Sequence, residues 1–355
     1  MIGEAGLRDV GIVFAALGAL VLAVWLAHSA WATRRVRQEA RRRPEVLRVL
    51  AAALLSGDRG AALAALDRLG GDDALDLLVE MALTVAGEQR ERLDELALQW
   101  GVIDRADRWS LSRRWSRRLR AARLISLFGT GDEEIGSALL RDEIPDVRAQ
   151  AAEWAGAHPN PAQVARLIEM LGDLELGCRF AAREALIDAG PAAIVELVSA
   201  LPGLEGPALA GALEAAASIA VPDFLPPAIG HMRSPDPDMR ALAAGVAGAT
   251  GGRGAVDELE RLTGDPDPDV RAAAAAGLGN LGRWEAAASI AGLLEDSHWR
   301  TRRAAALSLR RMGPTGEVLL RRQGRGSAGP AADTARSALE LPPAAAAVEE
   351  DGLVP

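Results

Sequence analysis

Apolar positions along the chain follow four patterns. Residues 10–31, VGIVFAALGALVLAVWLAHSAW, form an apolar run with no Asp, Glu or Arg. At a rise of about 1.5 Å per residue such a run spans roughly 33 Å, against about 30 Å for a bilayer's hydrocarbon core. It predicts a transmembrane helix, preceded by a short outer N-terminus at 1–9. Within 45–107, four stretches (PEVLRVLAAALL, RGAALAALDRL, DDALDLLVEMAL and ERLDELALQW) place apolar residues at helical spacing and predict a helical connector. From 108 to 323 the pattern repeats. Residues 324–355 lose the periodicity, gain Gly, Ala and Pro, and predict a disordered tail.

The repeat is marked by arginines at 118, 148, 179, 240, 271 and 302, with Ala210 at the missing step, so that each step is 30 or 31 residues. The preceding position is mostly apolar: Val147, Cys178, Leu209, Met239 and Val270. Three residues later it is mostly alanine: Ala121, Ala151, Ala182, Ala243, Ala274 and Ala305. Seven later it is always apolar, from Ile125 to Leu309. These offsets share one helix face. A Gly- or Pro-containing break follows, then a second apolar-periodic run such as 164–171, 193–201 or 255–262. Each unit therefore reads as helix, turn, helix and a short loop such as DPDP. One pair cannot cover its own apolar face, so about seven pairs must stack. The third and fourth units depart, with Gly177 for Asp, Ala210 for Arg, and Pro222, Pro226 and Pro227 where a helix interior is expected. Asp146, Asp238 and Asp269, two residues before their arginines, suit helix N-termini.

The D-x-(V/M)-R start, the alanine-rich first helix and the A/G-L-G end resemble HEAT-like repeats of the short type also found in phycobilin lyases, over about 60% of the chain. The resemblance implies an all-α chain: the transmembrane helix, then an α-solenoid of about seven HEAT-like helix pairs. It implies a binding scaffold for a protein partner. The repeat arginine would bond an aspartate or a helix-end carbonyl of an adjacent unit, as an internal ladder. The second helices would line the partner-binding face, with Glu169, Glu196, His231, Asp257 and Glu258 as its exposed residues.

Composition narrows the chemistry. Aromatics are 3% of residues and tyrosine is absent, which disfavours an all-β fold. All 40 basic residues are arginine, which excludes a Schiff-base or P-loop lysine; the replacement of lysine suggests GC-rich coding and a bacterial source. The single cysteine, Cys178, excludes disulfides and cysteine-based zinc sites and falls on an apolar repeat position, as a buried thiol would. His28, His158, His231 and His298 are not at metal-ligand spacing, and the His-Glu pairs of iron-binding HEAT enzymes are missing. The expectation is a protein that is not an enzyme and holds no metal or cofactor. A lyase-like or transferase-like role is the alternative suggested by the resemblance.

The net charge of −9 is uneven: residues 31–123 hold 19 Arg against 14 acidic residues, and 124–355 hold 20 against 33. Arg34, Arg35, Arg37, Arg41, Arg42 and Arg43 follow the apolar run in a basic segment at 32–44, whereas its other flank has only Arg8 beside Glu4 and Asp9. Positive charge marks the cytoplasmic side, so the N-terminus would lie outside and the repeats in the cytoplasm, at the cell's inner (plasma) membrane. A signal peptide would carry its charge before the apolar core. A second basic stretch, 105–123, interleaves eight arginines with Trp109 and Trp115. Leu111, Trp115, Leu119, Ala122 and Ile125 would form its buried face, leaving Arg113, Arg114, Arg117 and Arg120 as a candidate anionic-lipid or phosphate surface. The acidic remainder and the anchor argue against nucleic acid as the ligand.

Overall fold

The computed structural model describes residues 43–129, 133–326 and 328–342, together with Trp25. The expected transmembrane run at 10–31, apart from Trp25, and Arg34, Arg35, Arg37, Arg41 and Arg42 lie outside the described residues. Every regular element among those described is helical. The chain divides into two compact units between Arg105 and Ala106.

The first unit holds the four helices read from the connector: α1 (43–56), α2 (Arg59–Leu69), α3 (Gly71–Ala82) and α4 (Glu88–Gln99), followed by the start of α5 (Val102–Ser110). Their apolar stripes meet in a core of Leu50, Leu66, Leu77, Leu78, Leu93 and Leu96. Asp58 begins α2 by accepting the Ala61 N–H at 3.0 Å, one of the helix's orphan donors.

The second unit continues through α5 into seven helix pairs. They are α6 (Trp115–Phe128) with α7 (Glu133–Leu139), α8 (Pro145–Ala157) with α9 (Pro161–Met170), and α10 (Leu176–Ala189) with α11 (Ile194–Ala200). Next come α12 (Gly206–Ile219) with α13 (Leu225–His231), α14 (Pro237–Thr250) with α15 (Arg253–Leu262), α16 (Pro268–Leu281) with α17 (Ala287–Gly292), and α18 (Trp299–Arg311) with α19 (Pro314–Gly324). The expected count of seven holds. Each first helix packs on the first helix of the next pair, and the alanines and glycines at that seam set the closeness. A Cβ added at Gly248 of α14 would lie 2.4 Å from the Gly277 Cα of α16, and one at Gly156 of α8 would lie 2.7 Å from the Ala185 carbonyl of α10. Any side chain there would push neighbouring repeats apart.

A ladder of side chains ties the loops together. Arg148 grips Asp173 through two parallel bonds, each 2.9 Å. Its remaining nitrogen donates to the carbonyl of Asp142 at 2.8 Å. Asp142 in turn receives Arg118, at 3.0 Å through Nη2, and its Oδ1 accepts the Ile144 N–H at 2.9 Å. The same unit recurs downstream. Arg240 grips Asp265 at 2.9 Å twice, Arg271 donates to the Asp265 carbonyl at 2.7 Å, and Arg271 grips Asp296 at 2.7 and 2.9 Å. The ladder breaks where the repeat departs. Arg179 donates to the Asp173 and Leu174 carbonyls, but 25 residues later stands Leu204, and Ala210 supplies no arginine.

Electrostatics follow the ladder. Hydrogen bonds from Arg271 and from the His298 N–H hold Asp296 below the ordinary carboxylate range despite its burial. Burial alone would push Asp173 and Asp265 up; the bonds from Arg148 and Arg240, with a backbone N–H each, outweigh it and leave both lowered.

Four expectations need correction. Asp146, Asp238 and Asp269 sit in first turns but do not cap; Asp236 and Asp267, one loop position earlier, accept the free N–H groups of Asp238 and Asp269. Pro226 and Pro227 do not interrupt a helix, because they open α13, where a missing N–H is harmless. Residues 324–355 are not a disordered tail throughout. Pro330–Glu340 forms α20, whose Ala332, Ala335 and Ala338 are buried, and Arg310 Nε donates to the Leu341 carbonyl at 2.9 Å; residues 343–355 lie outside the described residues. Among the described residues, the stretch that meets the length and hydropathy of a membrane span is Leu176–Gly203. It is the third repeat pair, broken at Gly190 (φ 52°) and carrying Arg179, Arg183, Glu184, Asp188 and Glu196.

Candidate functional site

The second helices carry a ladder of their own, unseen in the sequence. Arg166 of α9 reaches back to the Leu140 carbonyl just past α7, at 3.3 and 3.4 Å. His231, ending α13, meets the Leu201 carbonyl just past α11 at 2.9 Å. Arg261 of α15 donates to the Met232 carbonyl just past α13 at 3.0 Å. In each case a side chain near one second helix's C-terminus satisfies an orphan carbonyl at the end of the preceding one, where positive charge also suits the helix dipole.

This ladder sorts the expected partner surface. Glu169 pairs with Arg166 at 2.7 Å. Glu258 is flanked by Arg233 and by Arg261, the latter at 2.8 Å. His231 is taken by its carbonyl. These three hold the face together and offer little free charge. Glu196 and Asp257 remain, without an ion pair among the described residues. Val195 beside Glu196 is 70% exposed, so α11 presents an apolar and an acidic side chain in tandem. The face is mixed rather than strongly acidic.

The arginine-rich stretch differs from the expected helix face. Residues 111–114 form a turn between α5 and α6, so Leu111 is 82% exposed and Trp115, the first residue of α6, is 49% exposed; only Ala122 and Ile125 of the predicted face are fully buried. Arg113, Arg114 and Arg117 are exposed around them. Arg120 lies over the Trp109 ring at 5.6 Å, and Arg118 belongs to the ladder. The result is a tip where two apolar side chains project among three arginines. Of the six basic residues after the apolar run, Arg43 is described, in α1, where it pairs with Glu80 of α3.

Other residues have structural roles. Cys178 is buried and its Sγ donates to the Pro145 carbonyl at 3.3 Å; burial, then Asp173, push the thiol up and keep it unreactive. His158 stacks on the buried Trp154 at 5.9 Å. No group of three or more His, Cys, Asp or Glu among the described residues is arranged to hold a metal. A groove of about 560 Å³ crosses α12 between α10 and α14, with the Arg183–Glu214 pair at its edge and Ile187 and Leu242 in its walls.

Comparison with known proteins agrees with this architecture. Residues 258–340 match the family model of HEAT repeats, the region from α15 to α20. The chain is similar to the CpcE–CpcF complex of phycocyanin lyase from Nostoc sp. PCC7120, at 19% identity over 58% of this chain and 93% of that one, TM-score 0.37. It is similar to the karyopherin Kap121p bound to the SUMO protease Ulp1p, at 13% identity over 84% and 41%, TM-score 0.48. It is similar to human deoxyhypusine hydroxylase, at 16% identity over 69% and 98%, TM-score 0.30. No curated protein matches. The assignment of HEAT-like repeats rests on the repeat geometry and the family match.

Proposed function

We propose that this HEAT-like repeat chain is a non-catalytic scaffold that holds a protein partner at the cytoplasmic face of a bacterial inner membrane. The observation that carries the reading is the division of labour on the second helices. Glu169, His231 and Glu258 are consumed by internal contacts, while Val195, Glu196 and Asp257 stand in solvent on a face braced by the two ladders. A preformed mixed apolar and acidic surface suits a partner segment that is basic and partly apolar, and it binds without ordering itself first.

Membrane attachment is supported by the apolar run at 10–31 and its arginine flank. The tip at 111–117 supports a second contact with the same surface. Arginine attracts anionic headgroups and an exposed tryptophan favours the headgroup boundary, so Arg113, Arg114 and Arg117, with Leu111 and Trp115, would hold the first repeat against anionic lipid. Two attachments would fix the scaffold's orientation, and tethering would raise the partner's effective concentration without new contacts. Crosslinking in the native cells, followed by purification and mass spectrometry, identifies the partner. The same partner missing from a Glu196→Arg, Asp257→Arg variant supports the reading, and its undiminished recovery from that variant refutes it.

A further inference from the structure

The end of the stack reverses the chain's charge. Residues 299–342 carry nine arginines against three acidic residues, in a chain whose net charge is −9. The arginine ladder ends here. Arg302 donates to the Asp296 and Ser297 carbonyls as its counterparts do. The residue 25 positions later is Ser327 rather than aspartate, and the Arg302 Nε is buried with no partner among the described residues. Arg300 and Arg303 flank it on α18, Arg300 reaching Asp269 at 3.1 Å. Trp299 is 56% exposed at the same helix start.

The chain's own exit is fixed beside this cluster. Leu341, held by Arg310, lines one cavity of about 250 Å³ together with Trp299, Arg303 and Thr334. Eight residues further on stand Glu349, Glu350 and Asp351, after the uncharged stretch PPAAAAV. An extended segment of that length reaches about 26 Å, enough to bring the three carboxylates to any arginine at the start of α18. The connecting segment is apolar and proline-containing, so it suits a groove bordered by Trp299 and Leu341.

We propose that the start of α18 is a carboxylate-binding surface whose occupant is the chain's own acidic segment, Glu349–Asp351. The segment neutralises the arginine cluster at the end of the ladder and covers Trp299. This contact goes beyond the scaffold reading and stands independently of it, since it concerns neither the second-helix face nor the membrane.

The test uses the full-length chain in mild detergent, with a photoreactive benzoylphenylalanine in place of Val348. After illumination, adducts are mapped by mass spectrometry, and mixed isotopically light and heavy chains separate contacts within a chain from contacts between chains. The expected adduct joins position 348 to residues 299–303 of the same chain. It falls at least tenfold when Glu349→Gln, Glu350→Gln and Asp351→Asn are combined, with a smaller loss for Arg300→Gln, Arg303→Gln. It also weakens in about 1 M salt, where exposed charge pairs are screened. Adducts that map elsewhere, that join light to heavy chains, or that are unchanged in the neutralised variant overturn the proposal. Circular dichroism of each variant separates loss of the contact from loss of the fold.

Discussion

Arg148 and Asp173 lie 25 residues apart and meet in two parallel hydrogen bonds of 2.9 Å, with side chains 14% and 11% exposed. The pair joins the first helix of one repeat to the loop that opens the next. Its Asp also receives the Glu175 N–H and offers its own carbonyl to Arg179, so one aspartate serves two repeats. Removing one partner of such a pair strands the other with little water. Arg148→Met should cost about 3 kcal/mol. Arg179→Met, which loses only carbonyl contacts, should cost about 1 kcal/mol. Urea denaturation of the two variants gives the comparison; equal losses would show that the carboxylate rung does not brace the stack.

Acid should loosen the ladder. Asp173, Asp265 and Asp296 titrate below their ordinary value of 3.8 in the folded chain. Their stabilisation is therefore complete above that value and lost as pH falls through the lower folded values. Thermal melts between pH 7 and pH 3 should show stability falling below about pH 4. The decline should be shallower in Asp173→Asn. An identical pH profile in that variant would remove Asp173 as a contributor.

Leu204 stands where an aspartate would face Arg179. Leu204→Asp should restore the missing rung and raise stability by up to about 1 kcal/mol, the worth of hydrogen bonds to a charged group less the lost apolar contact. A lower melting temperature would mean that the loop at 201–206 holds the position away from Arg179.

The repeat was legible because its constraint is local: an arginine, an alanine three later and an apolar residue seven later must share one helix face, and that spacing survives in the chain. The rung partner was harder to see. Asp142, Asp173, Asp265 and Asp296 recur 24 or 25 residues after their arginines, but the nearer Asp146, Asp238 and Asp269 compete for the same explanation, and only the packing of successive repeats decides between them. Glu169 and Glu258 read as free charge because Arg166 and Arg261 are spent on carbonyls of another repeat. Leu111 and Trp115 fit a helical stripe by spacing, yet the turn at 111–114 lifts both from it. In α20 the stripe of Ala332, Ala335 and Ala338 is small enough to be hidden by the surrounding Gly and Pro.

Deleting residues 1–33 should move the chain from the membrane to the soluble fraction. The released chain should still bind vesicles containing anionic lipid. Replacing Arg113, Arg114 and Arg117 with glutamine should weaken that binding about a hundredfold, at about 1 kcal/mol for each arginine near the surface. Equal sedimentation with neutral and anionic vesicles, or no change in the triple variant, would exclude the tip as a lipid contact.

The scaffold reading is tested most directly by comparing crosslinked partners of the wild-type chain with those of the Glu196→Arg, Asp257→Arg variant, each expressed in the native cells at equal level and membrane content. Both positions are surface sites outside the two ladders, so the variant should fold and melt as the wild type does. The account predicts a protein partner recovered with the wild-type chain and lost with the variant. Recovery of the same partner from both would place the binding surface elsewhere and contradict the assignment of the second-helix face.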